Sequence, residues 1–196
     1  MLTPYWKQYH VDVPEGVCGD HRVEVFDVTR AQAQLADMRS HVPRRAMQPG
    51  TYTRLCRGKW TTVMSDTPAE IFDHLELFNN AHGHVLLHGL GLGVALAGCL
   101  KQPAVVHVTV VEKSDEVITL VWDHYARRYG ERVTLVHDNA LTWQPPRGRR
   151  WNVVWHDIWD YITPENLPEM ISLHRRFGRR ADWQGSWCRA LCERMR

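Results

Sequence analysis

The chain has no C-x-x-C pair, no internal repeat, no low-complexity tract, and no apolar run near the ~20 residues that cross a bilayer. Its start, Met1 to Lys7, lacks the apolar core of a secretory signal, so a soluble cytoplasmic protein is expected, without a membrane partner. The five cysteines, Cys18, Cys56, Cys99, Cys188 and Cys192, are odd in number and scattered, which argues against a disulfide framework and makes a reducing compartment the default. Cys188 and Cys192 share a helix face at i,i+4, but without a second His or Cys pair they read as packing residues, and no metal is expected. A dominant sign of charge is also missing. The net charge is +2 with 23% charged residues, which argues against disorder and against a global attraction to nucleic acid. Basic residues do gather late, at Arg147, Arg149, Arg150, Arg175, Arg176, Arg179, Arg180, Arg189, Arg194 and Arg196. They read as a solvated helix face, with nucleic-acid binding as the lesser alternative. A length of 196 residues fits one ordinary domain with a short appendage.

What is present is a change of pattern along the chain. Residues 1–20 have no sustained period and read as an irregular arm. His21 to Thr29 alternates in part and predicts a strand, followed by a helix over Ala31 to Met38. Residues 41–50 end in the turn signal Gln48-Pro49-Gly50, and Thr51 to Cys56 with Lys59 to Met64 predict a hairpin around Arg57-Gly58. Thr67-Pro68-Ala69-Glu70 has the form of a capping box and predicts a helix from Pro68 to Asn79. Strands and helices then alternate: His84 to His88, Val94 to Leu100, His107 to Val111, Asp115 to Tyr129, Val133 to His137, and Asn152 to Trp155. Such alternation predicts an α/β fold with a parallel sheet and right-handed crossovers. The last ~35 residues read as helical, from a second capping signal at Asn166-Leu167-Pro168-Glu169, with Met170, Ile171, His174 and Phe177 on one face.

The chemistry-bearing residues fall at strand ends. His88-Gly89-Leu90-Gly91-Leu92-Gly93 lies where a strand gives way to a helix, the place where nucleotide-type ligands approach a doubly wound sheet. Glycine there permits a tight turn and close backbone approach. Glu112 ends the next strand, near the ~20-residue separation at which a carboxylate reaches ribose hydroxyls. A pyrophosphate reader is disfavoured, because the third glycine comes one position early and Val94 stands in its place. Asp138, Asn139 and Ala140 follow the third strand and suit an adenine pocket. Asp157 follows the fourth, with Trp159 and Tyr161 offering aromatic faces for a cationic group.

Together these elements resemble class I methyltransferases and, within them, the spermidine synthase-like branch. Val110 to Ile118 is similar to that branch's acidic second-strand motif and Val136 to Leu141 to its adenine motif. Val153 to Asp157 is similar to the strand carrying its catalytic aspartate, and Asp66 to His74 to the segment entering the core after a small β-hairpin region. The likeness covers about Thr51 to Tyr161. It implies a Rossmann-like three-layer sandwich with a mostly parallel sheet, an N-terminal arm and hairpin region over 1–66, and a cofactor domain over 67–196. S-adenosylmethionine is the implied cofactor, with Gly89, Leu90, Gly91, Gly93, Glu112, Lys113, Asp138, Asn139 and Ala140 as its contacts. Asp157 is the implied catalytic residue with Tyr161 behind it, and Asp160 and His74 are next in line.

Two departures bear on the reaction. Leu92 stands where aminopropyl-transferring members carry an aspartate, and few residues remain for the family's further strands, so the sheet is expected to be short, with an open edge covered by the N-terminal strands or by another subunit. No Asp-Pro-Pro-Tyr-type tetrapeptide follows the fourth strand, which points away from nucleic-acid base amines. A small-molecule acceptor is favoured. Methyl transfer leads; aminopropyl transfer, cleavage of the cofactor, and a non-catalytic binding protein of the same fold remain open.

Overall fold

A computed structural model of the protein describes residues 5–39 and 47–196. Four apolar runs and one polar one form a parallel sheet: β5 (Gly83–His88), β6 (Val105–Glu112), β7 (Val133–His137), β8 (Trp151–His156) and β9 (Ala181–Ser186), in the order β7-β6-β5-β8-β9. Val85, Leu86 and Leu87 are consecutive and all buried, as a strand covered on both faces requires. One face carries α4 (Val94–Leu100) and the helical stretch from Asp115 to Tyr129. The other carries Trp143 and α7 (Leu167–Phe177), whose Leu173 and Phe177 pack on Leu86 and Val154. The result is the expected α/β three-layer arrangement, with helices on both sides of a parallel sheet.

Ahead of it, β1 (Gly16–Cys18), β2 (His21–Val28), β3 (Gly50–Arg57) and β4 (Thr61–Ser65) form an antiparallel meander, with α1 (Arg30–Arg39) between β2 and β3. The arm is more ordered than its sequence suggests: Tyr5–Tyr9 forms a 3-10 turn that buries Trp6. The buried Asp66 carboxylate ties arm and meander together, accepting from Val11 N, from Thr53 N at 2.7 Å and from His10 Nδ1 at 2.8 Å. Of the turn expected over 41–50, only 47–50 falls within the described residues.

Several expectations are corrected. The helix expected over Pro68 to Asn79 is two helices, α2 (Pro68–Asp73) and α3 (Leu75–Asn80), meeting at His74. Its capping box does not form, because the Thr67 hydroxyl pairs with Ser65 instead. Asn166 likewise makes no cap bond, and its amide donates to the Tyr161 carbonyl. The helix from Asp115 is interrupted by a π turn, Ile118–Trp122, between α5 (Asp115–Val117) and α6 (Asp123–Tyr129). Spacings of four then keep Val117, Val121 and Tyr125 buried together. The C-terminal stretch is not wholly helical. Strand β9 lies between α7 and α8 (Arg189–Arg194), pairs in parallel with β8, and extends the sheet to five strands. Ala-Asp-Trp-Gln-Gly-Ser carries little intrinsic strand preference, and pairing with β8 overrides it. The N-terminal strands do not cover the β9 edge, since they form a sheet of their own.

Candidate active site

Parallel pairing brings the carboxyl ends of β5, β6, β7 and β8 to one edge, where Gly89, Glu112, Asp138 and Asp157 surround a single cavity of about 350 Å³. Gly89, Leu90, Gly91, Glu112, Lys113, Asp138, Asn139, Ala140, Asp157 and Tyr161 all line it. Of the expected contacts only Gly93 does not. Its place is behind the loop, at φ +80°, where a Cβ would overlap the Tyr125 ring. The Tyr125 hydroxyl donates to the Leu92 carbonyl at 3.0 Å, and burial pushes its pKa far up, so that it remains a neutral donor.

Glu112 does more than face the cavity. It is buried, and its carboxylate accepts from Leu90 N, Lys113 N and Ser114 N, each at 2.8 Å. A carboxylate offers about four acceptor positions. Three are filled by backbone, which leaves one free. Gly89, at φ +96°, accommodates the Asp157 carbonyl oxygen where a Cβ would stand, and Gly91, at φ +49°, has Met64 Sδ 2.7 Å from its own ideal Cβ. Met64 belongs to β4. With Val63, His21 and Arg57 it forms a wall of the cavity from the N-terminal sheet, and Met64 Sδ also accepts from Leu92 N at 3.2 Å.

Asp157 is also held in place. Its backbone N–H donates to the His88 carbonyl, and its Oδ2 accepts from His74 Nε2 at 2.9 Å. His74 is fully buried, and its Nδ1 donates to the Glu70 carbonyl at 2.8 Å. Burial alone would push the imidazole down, but the Asp157 and Glu70 acceptors outweigh it and raise its pKa to about 9. His74 is therefore an imidazolium at neutral pH. The other acids at the rim are also engaged: Asp160 pairs with Arg57, and Glu169 accepts from Trp159 Nε1 at 2.7 Å. Tyr161 is 61% exposed, and its carbonyl rather than its phenol is fixed. Asp138 is exposed and accepts from Asn139 N, while Arg176 holds the Ala140 and Leu141 carbonyls.

No family model matches the chain, and no curated protein matches it. Among solved structures it is similar to the methyltransferase CcbJ from Streptomyces caelestis, at 19% identity over 57% of this chain and 47% of that one, with a TM-score of 0.44. It is also similar to the N-methyltransferase NodS from Bradyrhizobium japonicum WM9, at 14% identity over 63% of this chain and 70% of that one, with a TM-score of 0.46. The match spans about half the length of the first. Likeness this distant carries nothing about what the chain acts on.

Beneath the cavity floor lies a histidine cluster that sequence reasoning missed. His88 and His156, paired across β5 and β8, are fully buried with their Nδ1 atoms 2.7 Å apart. Gln184 donates its amide to the His174 carbonyl, so its oxygen faces His156 Nε2, at 3.4 Å. That fixes the proton of His156 on Nε2, makes its Nδ1 the acceptor for His88 Nδ1–H, and leaves His88 Nε2 a buried lone pair without a partner among the described residues. Burial, with the Arg176 charge, pushes His88 down to about 3; burial, with His88 and His174, pushes His156 well below its usual range. The only available signal was that His88 and His156 each precede a loop residue of the site. Among the described residues, Asp20, His21 and Glu116 also bring three metal-capable atoms within 4.8 Å of one another. Glu116 lies too far along the chain from the other two for spacing to have shown it.

Several of the late arginines are committed within the protein. Arg176 holds two carbonyls, Arg180 bonds the Pro146 and Arg149 carbonyls, Arg150 pairs with Asp182, and Arg189 pairs with Glu193. Among the described residues no helix is long and apolar enough to cross a membrane.

Proposed function

We propose that the protein binds S-adenosylmethionine at the carboxyl edge of the parallel sheet and transfers its methyl group to a small-molecule acceptor. The observation that carries this reading is the convergence of four strand-end motifs on one cavity, of a size ordinary for small-molecule sites. The residues present suit the ligand. Positive-φ glycines bring backbone to the cavity wall, Glu112 retains one acceptor position for a ribose hydroxyl, and Asp138 to Ala140 form the third strand end. When bound, the cofactor supplies a methyl group on a sulfonium, activated for in-line displacement. Asp157 then orients the acceptor, and Trp159 and Tyr161 supply aromatic surface beside the cation. Methyl transfer is favoured over aminopropyl transfer because Leu92 is fully buried and does not line the cavity, so no carboxylate holds an amine tail there.

Calorimetry tests the ligand: S-adenosylmethionine or S-adenosylhomocysteine is expected to bind more tightly than NAD or ATP, and NAD preference would refute the reading. Labelled cofactor with product identification by mass spectrometry then separates transfer from cleavage. Asp157→Asn, which keeps size and removes charge, is expected to slow single turnover by at least ~100-fold with a far smaller change in cofactor affinity.

A further inference from the structure

We propose that His74 is a positioning residue that holds Asp157 as one half of a charge-neutral pair, so that Asp157 meets the acceptor as a hydrogen-bond acceptor and not as a base. This rests on the cavity being the S-adenosylmethionine site. A free strand-end carboxylate would present a full negative charge to a sulfonium and would be available to take a proton. Asp157 is not free. Its Oδ2 is engaged by a ring whose Nδ1 proton is committed to the Glu70 carbonyl, and the raised pKa of that ring, about 9, puts a second proton on Nε2, facing the carboxylate.

The groups facing His74 are Glu70 from α2, Asp157 from the end of β8, and the rings of Phe78 on α3 and Trp155 on β8. No water-exposed path tempers the pairing, because the His74 side chain has no exposed surface. His74 stands at the break between α2 and α3, and its imidazole reaches Asp157 from behind the residues that line the cavity. Oδ1 of Asp157 has no hydrogen-bond partner among the described residues, which leaves it for the acceptor.

Two ligands that share every group except the sulfonium methyl report the charge of the pair. In the wild type at pH 7.5 the neutral pair gives S-adenosylmethionine little electrostatic advantage over S-adenosylhomocysteine. In His74→Gln the carboxylate loses its counter-ion, and the preference for S-adenosylmethionine is expected to rise about tenfold, the scale of one unit charge in a half-open cavity. The same rise is expected in the wild type between pH 7.5 and 10, as His74 loses its proton, and Asp157→Asn is expected to abolish it. The sulfonium lowers the pKa of the ammonium in S-adenosylmethionine alone, so the pH arm is scored as the difference between wild type and Asp157→Asn, which share the ligands' own titrations. Independently of any ligand, 15N-histidine spectra at pH 7 are expected to show one ring with protons on both nitrogens that becomes singly protonated in Asp157→Asn.

If both ligands bind and their ratio is unmoved by His74→Gln and by pH, the proposal is overturned. A bare nitrogen on His74 at pH 7 overturns it as well. Failure of both ligands to bind refutes the cofactor assignment instead, and the spectra still decide the pairing.

Discussion

Lowering the pH from 7 to 5 is expected to destabilise the protein sharply, and the cause lies in two histidines far from solvent. His88 and His156 are held neutral in the folded state, His88 with a pKa near 3 and His156 well below the usual range. Unfolding returns each to about 6.5. A histidine with a depressed folded pKa contributes stability that is complete above about 6.5 and is lost as pH falls, because only the unfolded chain binds the proton. At pH 5 the unfolded state gains about 1.5 units of protonation free energy at His88, or about 2 kcal/mol, and His156 adds to it in the same direction. His174, half-buried and pushed down to about 4 by burial and Arg189, acts in the same direction. Against a total of about 5–15 kcal/mol for a domain, this is a large fraction. Urea unfolding followed by tryptophan fluorescence at pH 7, 6 and 5 measures it, and the midpoint is expected to fall by about 1 M or more by pH 5. A midpoint that moves by less than ~0.3 M would refute the assignment of both rings as buried and neutral. The double substitution His88→Leu and His156→Leu removes both proton sites and is expected to flatten the acid limb even if it costs stability at pH 7.

Above neutrality His74 gives the opposite slope: its folded pKa is raised to about 9, so its contribution is complete below about 6.5 and declines as pH rises from there toward 9, seen as a falling melting temperature. Glu112→Gln keeps the shape of the side chain but sets an amide N–H against backbone donors, and it is expected to cost about 1–3 kcal/mol of stability in urea titrations. Gly89→Ala drives a Cβ into the Asp157 carbonyl from a positive-φ backbone, and the variant is expected to be recovered unfolded or with the cavity lost, as circular dichroism and calorimetry would reveal. Wild-type melting and ligand binding in that variant would contradict the close approach of the two loops.

The parallel sheet was legible because β5, β6, β7 and β8 are short apolar runs separated by helical spacing, and their ends carry the glycine and acidic residues of the cavity. Strand β9 was not, since Asp182, Gln184 and Gly185 are weak strand formers held in place by neighbours; a Cβ on Gly185 would strike Trp155 and Trp183. Capping patterns misled at Thr67 and Asn166 for a different reason: each side chain bonds a group a few residues upstream, the Ser65 hydroxyl and the Tyr161 carbonyl, in place of the first N–H groups of its helix. The wall built from His21, Arg57, Val63 and Met64 was hidden because a meander's position over a distant loop depends on packing between sheets. His74 stood in the sequence as a fallback catalyst, and only the fold reveals that it grips Asp157 from inside.

The glycine loop is held from three sides, by the Glu112 carboxylate in front, the Tyr125 hydroxyl behind and the Met64 sulfur above. A loop fixed in this way has given up its freedom during folding, long before any ligand arrives. Association with the cavity therefore meets a finished surface, and the free energy of contact is not diminished by ordering the chain. For such a site, recognition is a matter of encounter rather than of rearrangement, and the exposed residues of its lining, Lys113, Arg57 and Tyr161, stand apart from those that hold the loop.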